Sequence, residues 1–336
     1  MPESLNVVTG ATGQLGSNIV QQLRLAGRPV RAFVRPGSDV AFLKDLGAEI
    51  VAGDLKDKAS MAGAFAGAKT VYHAAARVSD WGPWETFRDE AELSTTNVVA
   101  ACVAADVDRL LHVSSISVYG HPRLAAGERI REDSPLGQNF WMWDYYPQAK
   151  LLAEKIASTF PRVTIVRPSW IYGPRDRVTF PRVIPALLEK RVPIVGTGDN
   201  LLNIVFGGDV ARGCILAAEH PGALGQAYNL CSEGEITQRD LINTLTDNLK
   251  LPRVTKKVPY AAAIRFAWLK EAWAKLCGSA KPPTITRRAI YLIGRPTMYD
   301  ISKAKAELGW KPEVKIAEGV EKTLAWYKTV PGNRVS

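Results

Sequence analysis

The chain has 336 residues, 46% of them apolar and 23% charged, with a formal net charge of +10. Those values fit a globular chain able to bury a large core, and no stretch reaches the roughly 18 uninterrupted apolar residues of a membrane span. Met1-Pro-Glu-Ser leads into the first apolar run with no basic or apolar leader, and Cys102, Cys214, Cys231 and Cys277 form no C-x-x-C pair. Neither a disulfide framework nor a zinc site is expected, and the reading is a cytoplasmic protein.

Leu5 to Thr9 reads as a first strand and 14–26 as a first helix. Between them lies Thr9-Gly-Ala-Thr-Gly-Gln-Leu-Gly16. A strand, a glycine turn and a helix start are what a phosphate-binding unit needs. Glycines allow close backbone approach, and the helix N-terminus offers unpaired N–H groups. Gly10, Gly13 and Gly16 are therefore candidate phosphate-binding glycines, and Thr12, Gln14 and Leu15 among them are candidate cofactor-binding residues. Their G-x-x-G-x-x-G spacing departs from G-x-G-x-x-G, so the stretch alone also suits a plain packing turn.

Strands follow at 29–34, 48–51, 69–73 and 109–113, alternating with helices at 38–46, 58–66 and 86–105. That rhythm means α/β: a Rossmann-type, doubly wound parallel sheet with helices on both faces. Arg35 ends the second strand, where the adenosine ribose would lie. An Arg in place of an acid there suits a 2′-phosphate, which favours NADP(H) and leaves NAD(H) open.

After Gly120 the rhythm breaks. Residues 121–145 read as a long loop over the sheet edge, with the aromatic patch Phe140-Trp-Met-Trp-Asp-Tyr-Tyr146. A helix at 147–159 and a strand at 162–166 come next. Beyond them, helices are expected at 181–190, 208–219, 237–249, 260–277, 284–293, 301–308 and 316–328, with strands near 193–195, 202–206 and 228–230. The division expected is a dinucleotide-binding unit over 1–174, with 196–220 returning to it. Residues 175–195 and 221–336 form a smaller substrate-binding region.

Tyr146 and Lys150 are four residues apart, so on a helix they share a face. A lysine ammonium beside a phenol favours the phenolate and readies the tyrosine as a general acid/base. Tyr145 has no such partner, because position 149 is Ala. Ser114 and Ser115 close the fifth strand, where a hydroxyl can steady a developing oxyanion or simply cap the strand.

The stretches TGATGQLG, GDL (53–55), HAAA (73–76), VSSISVYG (113–120), YPQAK (146–150) and RPSWIYGP (167–174) come in the order and spacing of the extended short-chain dehydrogenase/reductase family, which the chain resembles over essentially its whole length. The resemblance implies a Ser115–Tyr146–Lys150 catalytic set. It implies adenine contacts from Asp54 and Leu55, and cofactor-lining positions at His73, Ala74 and Ala75. Tyr146 and Lys150 would also meet the cofactor, with Lys150 holding the nicotinamide ribose. Pro168 and Ser169 would meet the nicotinamide end. Pro147 stands where small residues are usual. HAAARVSDWGPWE (73–85), PPTITRRAIYLIG (282–294) and DISKAKAELGWKP (300–312) resemble the branch of 3β-hydroxysteroid dehydrogenases, sterol-carboxylate dehydrogenases, 2-alkyl-3-oxoalkanoate reductases and dihydroflavonol reductases. That branch implies interconversion of a secondary alcohol and a ketone on a small hydrophobic substrate. Nucleotide-sugar epimerases and dehydratases share the core motifs, and a redox-sensing scaffold is the non-enzymatic alternative. A homodimer through the helices near 86–105 and 147–159 is the family expectation.

Between Lys250 and Arg295 stand eleven basic residues and one acid, Glu271, so this segment carries a charge equal to that of the whole chain. Either it meets an anionic partner or it is a solvated basic face. Within it, 260–277 interleaves Ile264, Phe266, Trp268, Leu269, Trp273 and Leu276 with Lys and Arg. That pattern suits peripheral membrane contact and equally a helix capping the substrate pocket. No single-strand platform or helix-turn-helix supports nucleic-acid binding.

Overall fold

In the computed structural model, which describes residues 4–61, 63–125 and 127–333, strands and helices alternate from the start. The order is β1 (Leu5–Thr9), α1 (Gln14–Leu25), β2 (Val30–Val34), α2 (Ala41–Asp45), β3 (Glu49–Ala52), β4 (Ala68–His73), α3 (Trp84–Ala104), β5 (Arg109–Val113), α4 (Tyr145–Ala157) and β6 (Val163–Pro168). There follow β7 (Trp170–Tyr172), α5 (Phe180–Leu188), β8 (Ile194–Val195), β9 (Leu201–Leu202), β10 (Ile204–Phe206), α6 (Gly207–Glu219) and β11 (Ala227–Leu230). The chain ends with β12 (Ile236–Thr237), α7 (Gln238–Asn248), β13 (Lys257–Val258), α8 (Tyr260–Leu276), α9 (Arg287–Gly294), α10 (Ser302–Leu308) and α11 (Ile316–Thr329).

Seven strands form one sheet in the order β3-β2-β1-β4-β5-β6-β11, every pair parallel. Strands covered on both faces need apolar side chains on both, and β5 is buried at all five positions. Val7 and Val8 point to opposite faces and enter separate cores. α1 packs with α6 on one face, and α3 with α4 on the other. Trp310, fully buried, joins the core of Val8. Its indole donates to the Asp209 carbonyl at 2.8 Å, over a glycine, Gly213, whose missing side chain leaves the ring its place.

Two expected elements take another form. The helix expected over 58–66, which includes the undescribed Ala62, is a single 3₁₀ turn at Ala59–Met61. Asp57 and Ser60 side chains capture the local backbone groups, and Gly67 turns left-handed. The strand expected over 202–206 divides at Asn203 into β9 and β10, whose partners are different strands. α4 also starts two residues earlier than expected, so Pro147 sits inside its first turn, where its missing N–H costs nothing. Of the long loop over 121–145, Ala126 lies outside the described residues, as do 1–3, where no leader is expected.

Candidate active site

In a parallel sheet every strand ends at the same edge. Thr9, Val34, Ala52, His73, Val113 and Pro168 are the last residues of β1 to β6. Gly10, Arg35, Gly53 and Asp54, Ala74, Ser114 and Ser169 therefore emerge together, around the point between β1 and β4 where strand order reverses. Open α/β sheets bind ligands in that crevice.

The glycine stretch is a tight cradle. Gly10 is left-handed at φ 67°, and a Cβ there would stand 2.6 Å from the Ala75 amide nitrogen. A Cβ on Gly16 would strike the Gly10 carbonyl. Gly10 and Gly16 are thus fixed by close packing of the turn on itself and on the Ala74–Ala75 segment. The Gly13 N–H donates to the Gly10 carbonyl at 2.9 Å, and Gly13 caps α1 without any side-chain bond. The first helical bond is from Ser17 to the Gly13 carbonyl. Gln14, Leu15 and Gly16 precede it and have no intrahelical acceptor for their N–H groups. Thr12 is half-buried beside them, Leu15 packs into the core, and Gln14 Nε2 reaches the Gly173 carbonyl at 3.3 Å.

Arg35 is exposed. Asp54 is half-buried, with Oδ1 accepting from the Lys56 N–H, and the Leu55 carbonyl accepts from Asn97. The Ala74 N–H donates to the Thr9 carbonyl. His73 turns inward: Nδ1 is 2.8 Å from Thr9 Oγ1, and the ring lies 5.4 Å from that of His112. Burial, and then the Lys150 charge, bring the His73 pKa down to about 3, and burial also holds His112 well below the ordinary value. Pro168 and Ser169 are buried. The Ser169 N–H donates to the Leu230 carbonyl, and its hydroxyl is without a protein partner among the described residues.

Lys150 is buried, with Nζ donating to the Val113 carbonyl at 2.9 Å. Burial lowers its pKa, opposed by Tyr146 and Glu154. Tyr146 is half-buried one turn earlier, and a small cleft is lined by Tyr146, Lys150, Ala75, Phe87, His112 and Ala149, among others. Ser115 is half-buried and extended (φ −164°), and its Oγ accepts from the Ser117 N–H at 3.2 Å. The 3₁₀ turn it caps, Ile116–Tyr119, packs on α4. Ser114 instead points inward and donates to Glu154.

Sequence reasoning did not single out the groups that hold these residues. Glu154, four residues beyond Lys150, pairs with Arg167 at 2.7 Å. Arg167 also donates to Tyr119 Oη at 2.8 Å, and Tyr119 donates to Asn229. Burial opposes the Arg167 charge, but the Glu154 hydrogen bonds outweigh it and keep the group above its ordinary range. The spacing from Lys150 was the available signal. Two arginines of α9 grip the aromatic loop. Arg288 lies 4.6 Å from the Tyr146 ring and 3.5 Å from Asp144, which also takes a bond from His121. Arg287 pairs with Glu271 at 2.5 Å and donates to the Met142 carbonyl. Counting Arg287 and Arg288 only as surface charge hid them.

The residues present fit a dinucleotide. Gly10 and Gly16 admit no side chain, the α1 N-terminus has no side-chain cap, and the buried Ser169 hydroxyl has no hydrogen-bond partner among the described residues. The comparisons agree. The sequence matches the NAD dependent epimerase/dehydratase family over residues 6–231. It is 30% identical to a 2-alkyl-3-oxoalkanoate reductase of Stenotrophomonas maltophilia, over 95% of this chain and 98% of that one. It is 31% identical to a 4-hydroxy-2-methyl-3-oxo-4-farnesyl-3,4-dihydroquinoline-1-oxide ketoreductase of Stigmatella aurantiaca, over 94% of each. The crystal structure of gox2253 superposes with a TM-score of 0.80 at 29% identity, over 97% of this chain and 98% of that one. The fold, the cradle and these relatives make the chain an enzyme of the NAD dependent epimerase/dehydratase family.

Proposed function

We propose that the protein interconverts a ketone and a secondary alcohol on a largely apolar substrate, using a nicotinamide dinucleotide. The observation that carries this reading is the buried Lys150, locked on the Val113 carbonyl one helical turn from Tyr146 at the end of β5. Ser115 Oγ and the Tyr146 hydroxyl hold the carbonyl oxygen. The Tyr146 oxygen gives up a proton on reduction and takes one on oxidation. Lys150 holds the ribose. Gly10, Gly13 and Gly16, with the first N–H groups of α1, hold the pyrophosphate. When bound, the nicotinamide supplies or accepts the hydride. Arg35, exposed where β2 ends, supports NADP(H) over NAD(H).

Ketoreductase relatives and the aromatic surroundings of Tyr146, with Trp84 and Phe87 against Tyr145, support an apolar substrate. The test is turnover of 2-alkyl-3-oxo acids, 3-keto steroids and nucleotide sugars with NADPH and with NADH. Reduction of a ketone with NADPH is expected. Arg35→Ala should then weaken NADPH by about 30-fold, the value of a charge-assisted contact near 2 kcal/mol, and leave NADH unchanged. Activity on a nucleotide sugar alone would place the protein among the epimerases and dehydratases instead.

A further inference from the structure

α8 presents an unpartnered apolar stripe to solvent. Ala263, Ala267 and Glu271 face the protein. On the opposite side Phe266 is 52% exposed, Leu269 57%, Trp273 67% and Leu276 80%. At the helical turn of 100° per residue these four fall within an arc of about 80°. Lys270 borders the arc on one side and Arg265 on the other, both exposed and without an ion pair among the described residues. Lys270 lies 5.4 Å from the Phe266 ring. Lys256, Lys257 and Lys281 are exposed at the two ends of the helix.

We infer that this face of α8 is a docking surface for an anionic lipid bilayer. Charge decides between the occupants. A second copy laid on the stripe would bring the exposed Lys256, Lys257, Arg265, Lys270 and Lys281 of both copies together, whereas an anionic headgroup layer complements them. Apolar and indole side chains flanked by Lys and Arg are what an interfacial helix buries below and keeps at the headgroups. The surface also adjoins the site. A groove lined by Trp141, Ile264, Arg265, Trp268 and Arg287 runs from α8 to the aromatic loop that leads into Tyr146. Lys275 of the same helix donates to the Gly82 carbonyl and lies over the Trp81 and Tyr145 rings, so α8 is braced against the loop beside the cleft. An apolar ligand dissolved in the bilayer would meet the groove directly.

The experiment is flotation of the full chain with vesicles of 70% phosphatidylcholine and 30% phosphatidylserine, and with pure phosphatidylcholine, at 50 mM and 500 mM salt. Binding to the anionic vesicles at low salt is expected, with loss at high salt. Arg265→Gln with Lys270→Gln, and separately Leu269→Gln with Trp273→Gln, should each weaken binding about tenfold or more. No flotation at low salt overturns the inference, as does flotation unchanged in both double variants. Light scattering checks the other occupant: a dimer lost in the Leu269/Trp273 variant would make the stripe a contact between copies and overturn the bilayer reading. Binding is read without turnover, and Tyr146→Phe should float like the parent, so failure here and failure of the proposed chemistry are separable.

Discussion

The edge of the sheet and the outer face of α8 treat charge in opposite ways. At the edge, Lys150, Glu154 and Arg167 are each no more than 7% exposed, and each has a partner: a strand carbonyl, a serine and a guanidinium, a tyrosine. On α8, Arg265 and Lys270 stand in water beside apolar rings, and Lys281 beyond its end is exposed. Buried charges are held within narrow geometry because any departure leaves an ion unsolvated. Exposed ones cost nothing to move. A catalytic constellation needs the first condition and a surface that meets a fluid partner tolerates the second.

Four experiments test that contrast. Tyr146→Phe removes only a hydroxyl at the edge, and kcat/KM should fall 10²- to 10⁴-fold, or about 3–5 kcal/mol, while the melting temperature holds. Glu154→Ala leaves Arg167 buried without its counter-ion and should cost about 3–5 kcal/mol in urea unfolding; Glu154→Leu with Arg167→Leu should recover much of that. The third uses pH. His73 titrates near 3 in the folded chain and near 6.5 when unfolded, and His112 is displaced the same way. Below pH 6.5 the unfolded chain takes up protons that the folded one refuses. Stability should therefore fall with acidification by about 1.4 kcal/mol per pH unit for each histidine, and should be flat in this respect above pH 7. Equilibrium unfolding at pH 7 and pH 5 measures it, and His112→Asn should halve the slope. Smallest of all, Leu269→Gln and Trp273→Gln should each shift unfolding by no more than about 0.5 kcal/mol, because neither side chain is packed. A larger loss would mean the stripe is packed on something in solution.

The edge was largely legible in sequence because its parts are local. Gly10 to Gly16 is one turn and one helix start, and Tyr146 and Lys150 share one helical turn. The alternation of β1 to β6 with helices fixed where those pieces converge. The contacts that were not legible join distant segments. The Trp81 indole donates to the Ser279 carbonyl 198 residues away, and Arg287 to the Met142 carbonyl 145 residues away. No spacing rule reaches that far. The inward turn of the His73 imidazole onto Thr9, 64 residues away, is likewise beyond any local spacing. Asn203 divides a run whose apolar pattern alone reads as one strand, because β9 and β10 answer to different neighbours.

Trp310 has a consequence for the order in which the chain can be completed. The core that includes Val8, a residue of the first strand, also includes Trp310, and the Asp209 carboxylate at the start of α6 waits for the Glu313 and Val314 amides at 3.1 and 3.0 Å. A ribosome extending the chain at about 5–20 residues per second will have made β1, α1 and α6 well before Trp310, the last ring of that core, arrives. Until then the α1–α6 face lacks its closing side chain. The nascent chain passes through an interval in which the α1–α6 face is made and its core still open, so shelter from aggregation matters most until Trp310 is in place.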